Sequence, residues 1–191
     1  YSGNKYDGVN YGATVVQGLG NKLAYEFDGS NDYILINNGI FYSSNINSFT
    51  LHFVFKRYGT SSKECLLCSR TTLGYGVSVF LLNNGYIRFD TASTSQMYQW
   101  STNKRIAEGQ EVTIDCVYTP GNKYLYINGV LEASTTSAPT TLGYLSQNFT
   151  TIGMSQINGS SYGNPLGGRL QDVRIYDRAL SPQEISWLYD M

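Results

Sequence analysis

Side chains able to do acid–base chemistry are sparse in this chain of 191 residues. His52 is its only histidine, and any Ser-His-Asp site would have to use it, yet it lies inside the apolar run FTLHFVF, which is typical of a packed strand. Glu111 and Asp115 are four residues apart and would share one face of a strand, with Glu108 as the nearest further carboxylate. Neither His52 nor this group of carboxylates forms a recognisable catalytic motif. The sequence therefore predicts a protein that is not an enzyme.

One loop could hold a metal ion. The segment FDGSNDY places Asp28, Asn31 and Asp32 within a single turn-like stretch. Calcium takes several oxygen ligands, which Asp and Asn side chains in loops supply. The same residues are ordinary turn formers, so a plain turn is the alternative interpretation.

A third group of side chains could bind a ligand without reacting with it. Neutral sugars are held by aromatic faces, with amide and hydroxyl groups around their hydroxyls. Candidates of these kinds are Tyr75 in TTLGYG, Tyr98 and Trp100 in SQMYQWS, and Gln156, Asn158 and Tyr162 in SQINGSSYGN. Because MYQW alternates and one side of a strand must be buried, Tyr98 or Trp100 could belong to the core instead.

The overall composition limits the kinds of partner. The net charge is −1 and charged residues make up 14%, against about 25% in ordinary soluble domains, so no basic surface is expected to collect nucleic acid or anionic lipid. No apolar run reaches the roughly 18 residues that a membrane span requires. Seventeen tyrosines and many Asn, Ser, Thr and Gly residues are typical of a β protein with polar, uncharged loops, which suits the outside of a cell or a virion.

The cysteines leave two interpretations open. Cys65 and Cys68 lie on one apparent strand, where a spacing of three predicts that they point to opposite faces. A disulfide involving Cys116 is one possibility, and three buried thiols is the one that we favour.

Short strand-like runs separated by turn residues recur along the chain and must position these side chains. Asn84-Gly85 separates VFLLN from YIRFD, and Asn128-Gly129 separates KYLYI from VLEAS. Both pairs suit hairpins with type I′ turns, in which both central residues have positive φ. No helical period precedes residue 180, which excludes a parallel α/β architecture. Antiparallel strands without long crossovers predict an all-β sandwich or barrel.

The C-terminus departs from this strand pattern. Ser181, Pro182 and Glu184 form a helix start with a capping box, and Leu180 with Ile185 forms its hydrophobic staple. A single short helix after the last strand is expected to cover an open edge of the sandwich.

Four segments together resemble the LamG-like, or concanavalin A-like, jelly-roll domains, including the pentraxin branch. They are SGNKYDGVNYGA, AYEFDGSNDYILI, YLYINGVLEAS and GGRLQDVRIYDRALSPQEI, in the order and at about the spacing of that family. The resemblance covers nearly the whole chain. It implies a single domain over residues 1–191, folded as a two-sheet antiparallel β-sandwich (a jelly roll) with one short C-terminal helix. Members usually begin with a further strand before the SGN turn, and its absence here implies a module of a longer protein.

The resemblance also bears on metal binding. Many members hold a structural calcium, which implies Asp28, Asn31 and Asp172 as its ligands here, although Gln171 stands where the family often has Asp. The two-calcium site of the pentraxin branch does not transfer, because the corresponding loop, SQINGSSYGNPLGG, contains no carboxylate. A structural calcium is thus the one cofactor that the resemblance implies, and turn residues without a metal are the alternative.

Members of the family serve as carbohydrate-binding modules, lectins, adhesion domains and appendages of secreted or virion proteins. The resemblance therefore implies a non-catalytic carbohydrate- or surface-binding module of an extracellular or virion-associated protein, located outside the cell, at the cell surface or on the virion. Its partner would be a glycan or another cell-surface ligand. The alternative is a structural or assembly domain that contacts neighbouring domains or copies of itself, as in capsid decoration, a tail fibre, a pilus or an S-layer.

Overall fold

The chain folds as an antiparallel β-sandwich, as the sequence predicts. The computed structural model describes residues 7–37, 41, 46–59, 63–70, 76–143, 149–156 and 162–191. Within these residues two seven-stranded antiparallel sheets face each other, with a separate two-stranded sheet and one short C-terminal helix. The expected jelly-roll class is confirmed.

Sixteen strands form the sheets in the described part of the chain. They are β1 (Gly8–Tyr11), β2 (Thr14–Gln17), β3 (Leu23–Asp28), β4 (Tyr33–Ile36), β5 (Phe49–Arg57), β6 (Lys63–Arg70), β7 (Gly76–Leu82), β8 (Tyr86–Ala92), β9 (Met97–Arg105), β10 (Glu111–Thr119), β11 (Asn122–Ile127), β12 (Val130–Thr135), β13 (Thr150–Ile152), β14 (Ser155–Gln156), β15 (Tyr162–Gly163) and β16 (Gly167–Tyr176). The front sheet has the order β1-β4-β13-β6-β7-β8-β9, and the back sheet has the order β12-β11-β10-β5-β16-β3-β2. Strands β14 and β15 pair only with each other.

The hydrophobic core lies between the two sheets and follows the alternation of the strands. Phe49, Leu51, Phe53 and Phe55 of β5 are fully buried on one face of the back sheet, because every second residue of a strand points the same way. Across the sandwich, Phe49 meets Phe89 of the front sheet edge to face, with 6.0 Å between ring centroids. The run FTLHFVF is therefore a central strand that supplies the core.

The two Asn-Gly hairpins form, but with different turns. Asn128 and Gly129 have φ values of 51° and 75°, as a type I′ turn requires. At the other hairpin only Gly85 has positive φ, and its N–H donates to the carbonyl of Leu82 at 2.7 Å. The type I′ prediction is wrong there, because the loop has three residues and closes with a glycine in the left-handed region, which matches the type I turn plus bulge of longer hairpins.

The cysteines are all free and buried, as in the interpretation that we favoured. The prediction that Cys65 and Cys68 point to opposite faces is wrong, because both pack with Phe80 on the outer face of the front sheet. A β-bulge between Cys65 and Leu67 inserts an extra residue into β6 and shifts the alternation by one. Cys116 lies in the core between the sheets.

The C-terminal helix, α1 (Pro182–Asp190), begins at the predicted capping box. The Ser181 hydroxyl accepts from the Glu184 N–H at 3.3 Å, and the Glu184 carboxylate accepts from the Ser181 N–H at 2.9 Å. Ile185 packs on Val117 of β10 and Tyr126 of β11, so the helix covers the outer face of the back sheet beside its edge strand β12, which it also contacts. No helix among the described residues is long and apolar enough to cross a membrane.

Ser181→Ala is expected to lower the free energy of unfolding by about 1 kcal/mol, because it removes the side chain that satisfies a free helix N–H. Urea unfolding followed by circular dichroism measures the change. Gln183→Ala, at an exposed position in the first turn of the same helix, should stay within about 0.5 kcal/mol of the wild type. Equal effects of the two substitutions would contradict a specific role of the cap.

Candidate functional site

A groove runs between the edge strands of the two sheets, with a volume of about 460 Å³. Residues 100–104 of β9 line one wall and residues 132–134 of β12 line the other. These strands end the front and back sheets on the same side of the sandwich, so the groove is open to solvent along its length. We call it the Trp100 groove. Its size lies within the range of about 300–1,000 Å³ that is usual for small-molecule sites.

Trp100 contributes to the core and to the groove at the same time. It pairs with Phe89 of β8, and part of its side chain packs against the main core. The rest of its surface lines the groove. Tyr98 has the same orientation along β9 and is also half-buried. The two interpretations of MYQW are therefore not exclusive for Trp100, because an edge strand leaves one side of an inward-facing ring uncovered.

Lys123 lies inside the sandwich next to Trp100. Its Nζ donates to the carbonyls of Phe89 at 3.0 Å and Tyr98 at 2.7 Å, and it lies 5.9 Å from the Trp100 ring centroid. The side chain comes from β11 of the back sheet, so it ties that sheet to β8 and β9 of the front sheet. Burial lowers the pKa of Lys123 to about 8, and attraction by Asp90 opposes the fall only in part.

Sequence reasoning missed Lys123, although a signal was present. In the strand NKYLYI, Lys123 has the same alternation as the core residues Leu125 and Ile127. A lysine at an inward-facing position of a strand indicates a buried cation that needs carbonyl acceptors.

Lys123 is expected to make stability depend on pH. Below about pH 8 the lysine is charged in both the folded and the unfolded chain, and the full cost of burying the charge is present. Between about pH 8 and pH 10.5 Lys123 loses its ammonium proton in the folded protein but keeps it in the unfolded chain. The free energy of unfolding therefore rises with pH over this range. The fall of the Lys123 pKa from 10.5 to about 8 corresponds to a total gain of about 3 kcal/mol in the free energy of unfolding across this pH range.

Urea unfolding of the wild type and Lys123→Met at pH 7.5 and 9.5 tests this expectation. All other titratable groups are common to the two proteins, so the difference between them isolates the lysine. We expect the wild type to gain about 2 kcal/mol relative to the variant over this interval. Identical pH dependence of the two proteins would show that Lys123 does not change its protonation state.

The remaining lining of the Trp100 groove is polar, and its charged side chains balance. Lys104 of β9 and Glu132 of β12 form an ion pair across the groove, with 3.1 Å between Nζ and Oε1. Because the pair is partly exposed to solvent, it adds little to stability. Ser101, Thr102, Asn103, Ala133 and Ser134 complete the lining. The groove thus combines an aromatic surface with hydrogen-bonding groups and no net charge.

Three tyrosines form a second aromatic feature, which we call the tyrosine ladder. Tyr11 of β1 stacks on Tyr33 of β4, and Tyr33 stacks on Tyr162 of β15, with 4.6 Å between centroids in each pair. Gln156 pairs with Tyr162 across β14 and β15. Burial raises the pKa of the Tyr33 hydroxyl, and its hydrogen bond with the Tyr162 hydroxyl raises it further. Two of the predicted ligand-binding residues, Gln156 and Tyr162, therefore lie together beside two tyrosines that sequence reasoning did not select.

The structure separates the predicted ligand-binding residues into two places. Tyr98 and Trp100 lie on β9, at one end of the front sheet, and Tyr162 stacks on β4, five strand positions away. At roughly 4.8 Å per strand this is about 24 Å, too far for one small ligand. Tyr75 and Asn158 lie outside the described residues. Ligand binding by each group remains a prediction.

The residues predicted to hold calcium do not form one site. Asp28 pairs with Gly167 of β16, whereas Asp172 lies five residues further along that strand, about 17 Å away, and pairs with Arg174 at 2.6 Å. The Asp28 carboxylate accepts from the N–H groups of Ser30 and Asn31, as in an ordinary turn. The three residues Asp28, Asn31 and Asp172 therefore do not fit a shared calcium ion.

The residues considered for catalysis have structural partners. His52 Nδ1 lies 2.7 Å from Asp115 Oδ1, and both side chains are buried on the face of the back sheet that α1 packs against. Burial raises the pKa of Asp115, and His52 opposes the rise. Glu111 pairs with Arg169 at 2.6 Å.

Residues 159–163 read G-x-S-x-G, but the next described element is the strand β15 and not the helix that a nucleophile elbow precedes.

A family model described as the concanavalin A-like lectin/glucanases superfamily matches residues 28–186. The chain belongs to this superfamily. The match includes both walls of the Trp100 groove and the strands β4 and β15 of the tyrosine ladder, and it begins after β1. No curated protein sequence matches the chain.

Several solved structures share the fold at low sequence identity. One is domain 4 of AbnA, a GH43 extracellular arabinanase from Geobacillus stearothermophilus, in complex with arabinotriose, with 21% identity, a TM-score of 0.72, and coverage of 97% of this chain and 85% of that one. Another is the binding domain of botulinum neurotoxin DC in complex with rat synaptotagmin II, with 14% identity, a TM-score of 0.71, and coverage of 97% and 47%. The chain thus spans about half the length of that toxin domain. At these identities the likeness shows the fold alone.

Proposed function

We propose that this domain is a non-catalytic carbohydrate-binding module of an extracellular or virion-associated protein, and that it holds a neutral oligosaccharide in the Trp100 groove. The observation that carries the proposal is the joint presence of a partly exposed tryptophan and uncharged hydrogen-bonding groups in one open groove. A pyranose or furanose would place its C–H face on the ring and its hydroxyls toward the polar residues that line the groove.

The charge balance of the groove favours a neutral ligand. Lys104 and Glu132 neutralise each other across it, and Lys123 is buried behind Trp100 and is satisfied by two carbonyls. An acidic sugar would have to compete with Glu132 for Lys104, at the cost of leaving the carboxylate without its partner. The complex of the AbnA domain with arabinotriose agrees with a short neutral oligosaccharide as the ligand class.

Intrinsic fluorescence tests the proposal directly, because the chain has two tryptophans. Trp187→Phe removes the exposed one on α1, so that Trp100 alone reports. Titration with arabinotriose, xylohexaose, cellohexaose and maltohexaose is expected to give a saturable change of emission with at least one of them. The matched control is the Trp187→Phe protein titrated with free glucose, which should give no saturable change at the same sugar concentration. A folded domain that responds to none of the four oligosaccharides would contradict the proposal.

A second candidate function is assembly with another protein surface. Val15 of β2 and Leu23 of β3 are 58% and 70% exposed, and Leu19 and Tyr25 nearby are also exposed, at the edge of the back sheet. Apolar side chains grouped at an open sheet edge favour contact with a further protein.

Light scattering of the purified domain tests this second candidate. A multimer that dissociates in Leu23→Lys, but not in Leu131→Lys on the opposite edge strand β12, would support assembly through the β2–β3 edge. A monomer at all concentrations would count against self-assembly.

A further inference from the structure

We propose that the tyrosine ladder is a second saccharide-binding site, separate from the Trp100 groove and specific for a neutral, hydroxyl-rich chain. It shares its ligand class with the proposed function but not its residues. Three features of the ladder support this site: the way its rings are held, the surfaces that they present to solvent and the charge of the strands that carry them.

The rings are held in place without a ligand. They come from three strands, and the interplanar angles are 12° for Tyr11 on Tyr33 and 23° for Tyr33 on Tyr162. Tyr11 and Tyr33 are direct cross-strand partners, so the sheet itself fixes their spacing. A ligand that binds to ordered rings does not bear the entropic cost of ordering them.

The stacking determines which surfaces a ligand can use. Tyr33 is covered on both faces by its neighbours, so it offers only its edge and its hydroxyl. Tyr11 stacks on one described ring only and is 44% exposed, and Val9, on the same face of β1, is also 44% exposed. The ladder therefore offers one aromatic face at its outer end, an apolar neighbour, and phenol-bearing rings whose centroids lie 4.6 Å apart. This combination matches the apolar faces and the regular hydroxyls of a sugar chain.

The charge around the ladder favours a neutral ligand. The strands at this end, β1, β4, β13, β14 and β15, read GVNY, YILI, TTI, SQ and YG and contain no charged residue. The flanking Asp32 is buried and accepts from the Asp28 N–H, and Asp7, directly before β1, is exposed. An anionic sugar would find no cation on these strands and a carboxylate beside them.

The two sites together would change how the domain binds polymers. They lie about 24 Å apart at opposite ends of the front sheet, so one long chain or two separate chains could occupy both. Simultaneous occupancy raises the apparent affinity for a polymer well above that for a short oligosaccharide.

Aromatic ¹³C–¹H spectra of the tyrosine-labelled domain test the ladder independently of the groove. The protein carries Trp100→Ala, and the probes are arabinotriose, xylohexaose, cellohexaose and maltohexaose. We expect saturable shifts of ladder resonances with at least one probe, a loss of affinity of at least tenfold in Tyr11→Ala, and less than threefold in Tyr11→Phe, which keeps the ring. Tyr25→Ala is the control, because Tyr25 is 39% exposed on the other sheet.

The outcomes separate this inference from the proposed function. Ladder shifts that persist in Trp100→Ala support the second site even if the groove binds nothing. Ladder resonances that stay unchanged in the Trp100→Ala protein, while the protein with Trp100 intact binds a probe, would overturn the second site and leave the proposed function intact. Equal affinity of Tyr11→Ala and the parent protein would also overturn it, and would make the ladder a purely structural connection of β1 and β15 to β4.

Discussion

Trp100→Ala is expected to weaken oligosaccharide binding in the Trp100 groove by about 30-fold or more. Truncation of a central aromatic residue in a binding site costs about 2 kcal/mol or more, and every 1.4 kcal/mol is a factor of ten in affinity. Trp100 is the one aromatic residue among those that line the groove in the described chain, so no neighbouring ring there can replace it. Isothermal titration with the best oligosaccharide from the fluorescence screen measures the loss.

Two further variants keep this prediction specific. Trp100 also packs against the core and faces Lys123, so its truncation lowers stability, and the titration must be run below the melting temperature of the variant. Asn103→Ala removes an exposed amide of the groove without touching the core and is expected to weaken binding severalfold at unchanged stability. Trp187→Ala, 59% exposed on α1, should bind like the wild type. Full affinity in both Trp100→Ala and Asn103→Ala would place the ligand elsewhere.

Phe49→Ala is expected to have the largest effect on stability, a loss of about 3–5 kcal/mol. The ring is fully buried where the sheets meet. It stacks on Tyr118 at 5.2 Å and meets Phe41 and Phe89 edge to face at 4.9 Å and 6.0 Å. Its removal leaves a cavity lined by three rings, which close-packed strands cannot collapse to fill. Urea unfolding at pH 7 measures the change from the shift of the midpoint at constant slope.

The controls for Phe49→Ala separate packing from other effects at the same place. Tyr118→Phe keeps the stacked ring and removes only the hydroxyl that donates to the Pro139 carbonyl at 2.9 Å, so a loss of about 1 kcal/mol is expected. Val54→Ala, on the other face of β5 and half-buried, should cost less than Phe49→Ala. A loss below about 1.5 kcal/mol for Phe49→Ala would show that the cluster repacks.

The strands and the helix could be predicted because their signals are local. Alternation in FTLHFVF, turn residues between strands and the Ser181 capping box each depend on neighbours within a few positions of the sequence, and all three reappear in the structure. The errors arose where one residue changes the local pattern. The bulge after Cys65 shifted the alternation of β6, and the three-residue loop at Gly85 replaced a two-residue turn. Neither insertion has a signature of its own in a single sequence.

The candidate sites depend on pairings that the sequence does not contain. Sequence reasoning selected Trp100 and Tyr162 by residue type and grouped them, yet strand order places them at opposite ends of one sheet. Tyr11 and Tyr33 were not selected, because their stacking follows from the register of β1 on β4. Asp28 and Asp172 were grouped by family resemblance, but the register of β3 on β16 keeps them apart.

The sequence by itself determined the class of the protein: an all-β sandwich with a capped C-terminal helix and a surface poor in charge. These properties are set by composition and by patterns of period two, which act over short distances along the chain. Only the tertiary structure decided which polar and aromatic side chains meet, that Lys123 lies buried against Trp100, and that the binding candidates form a groove and a ladder rather than one site. The reason is physical: contacts between strands depend on sheet order and register, which are fixed by packing of the whole core.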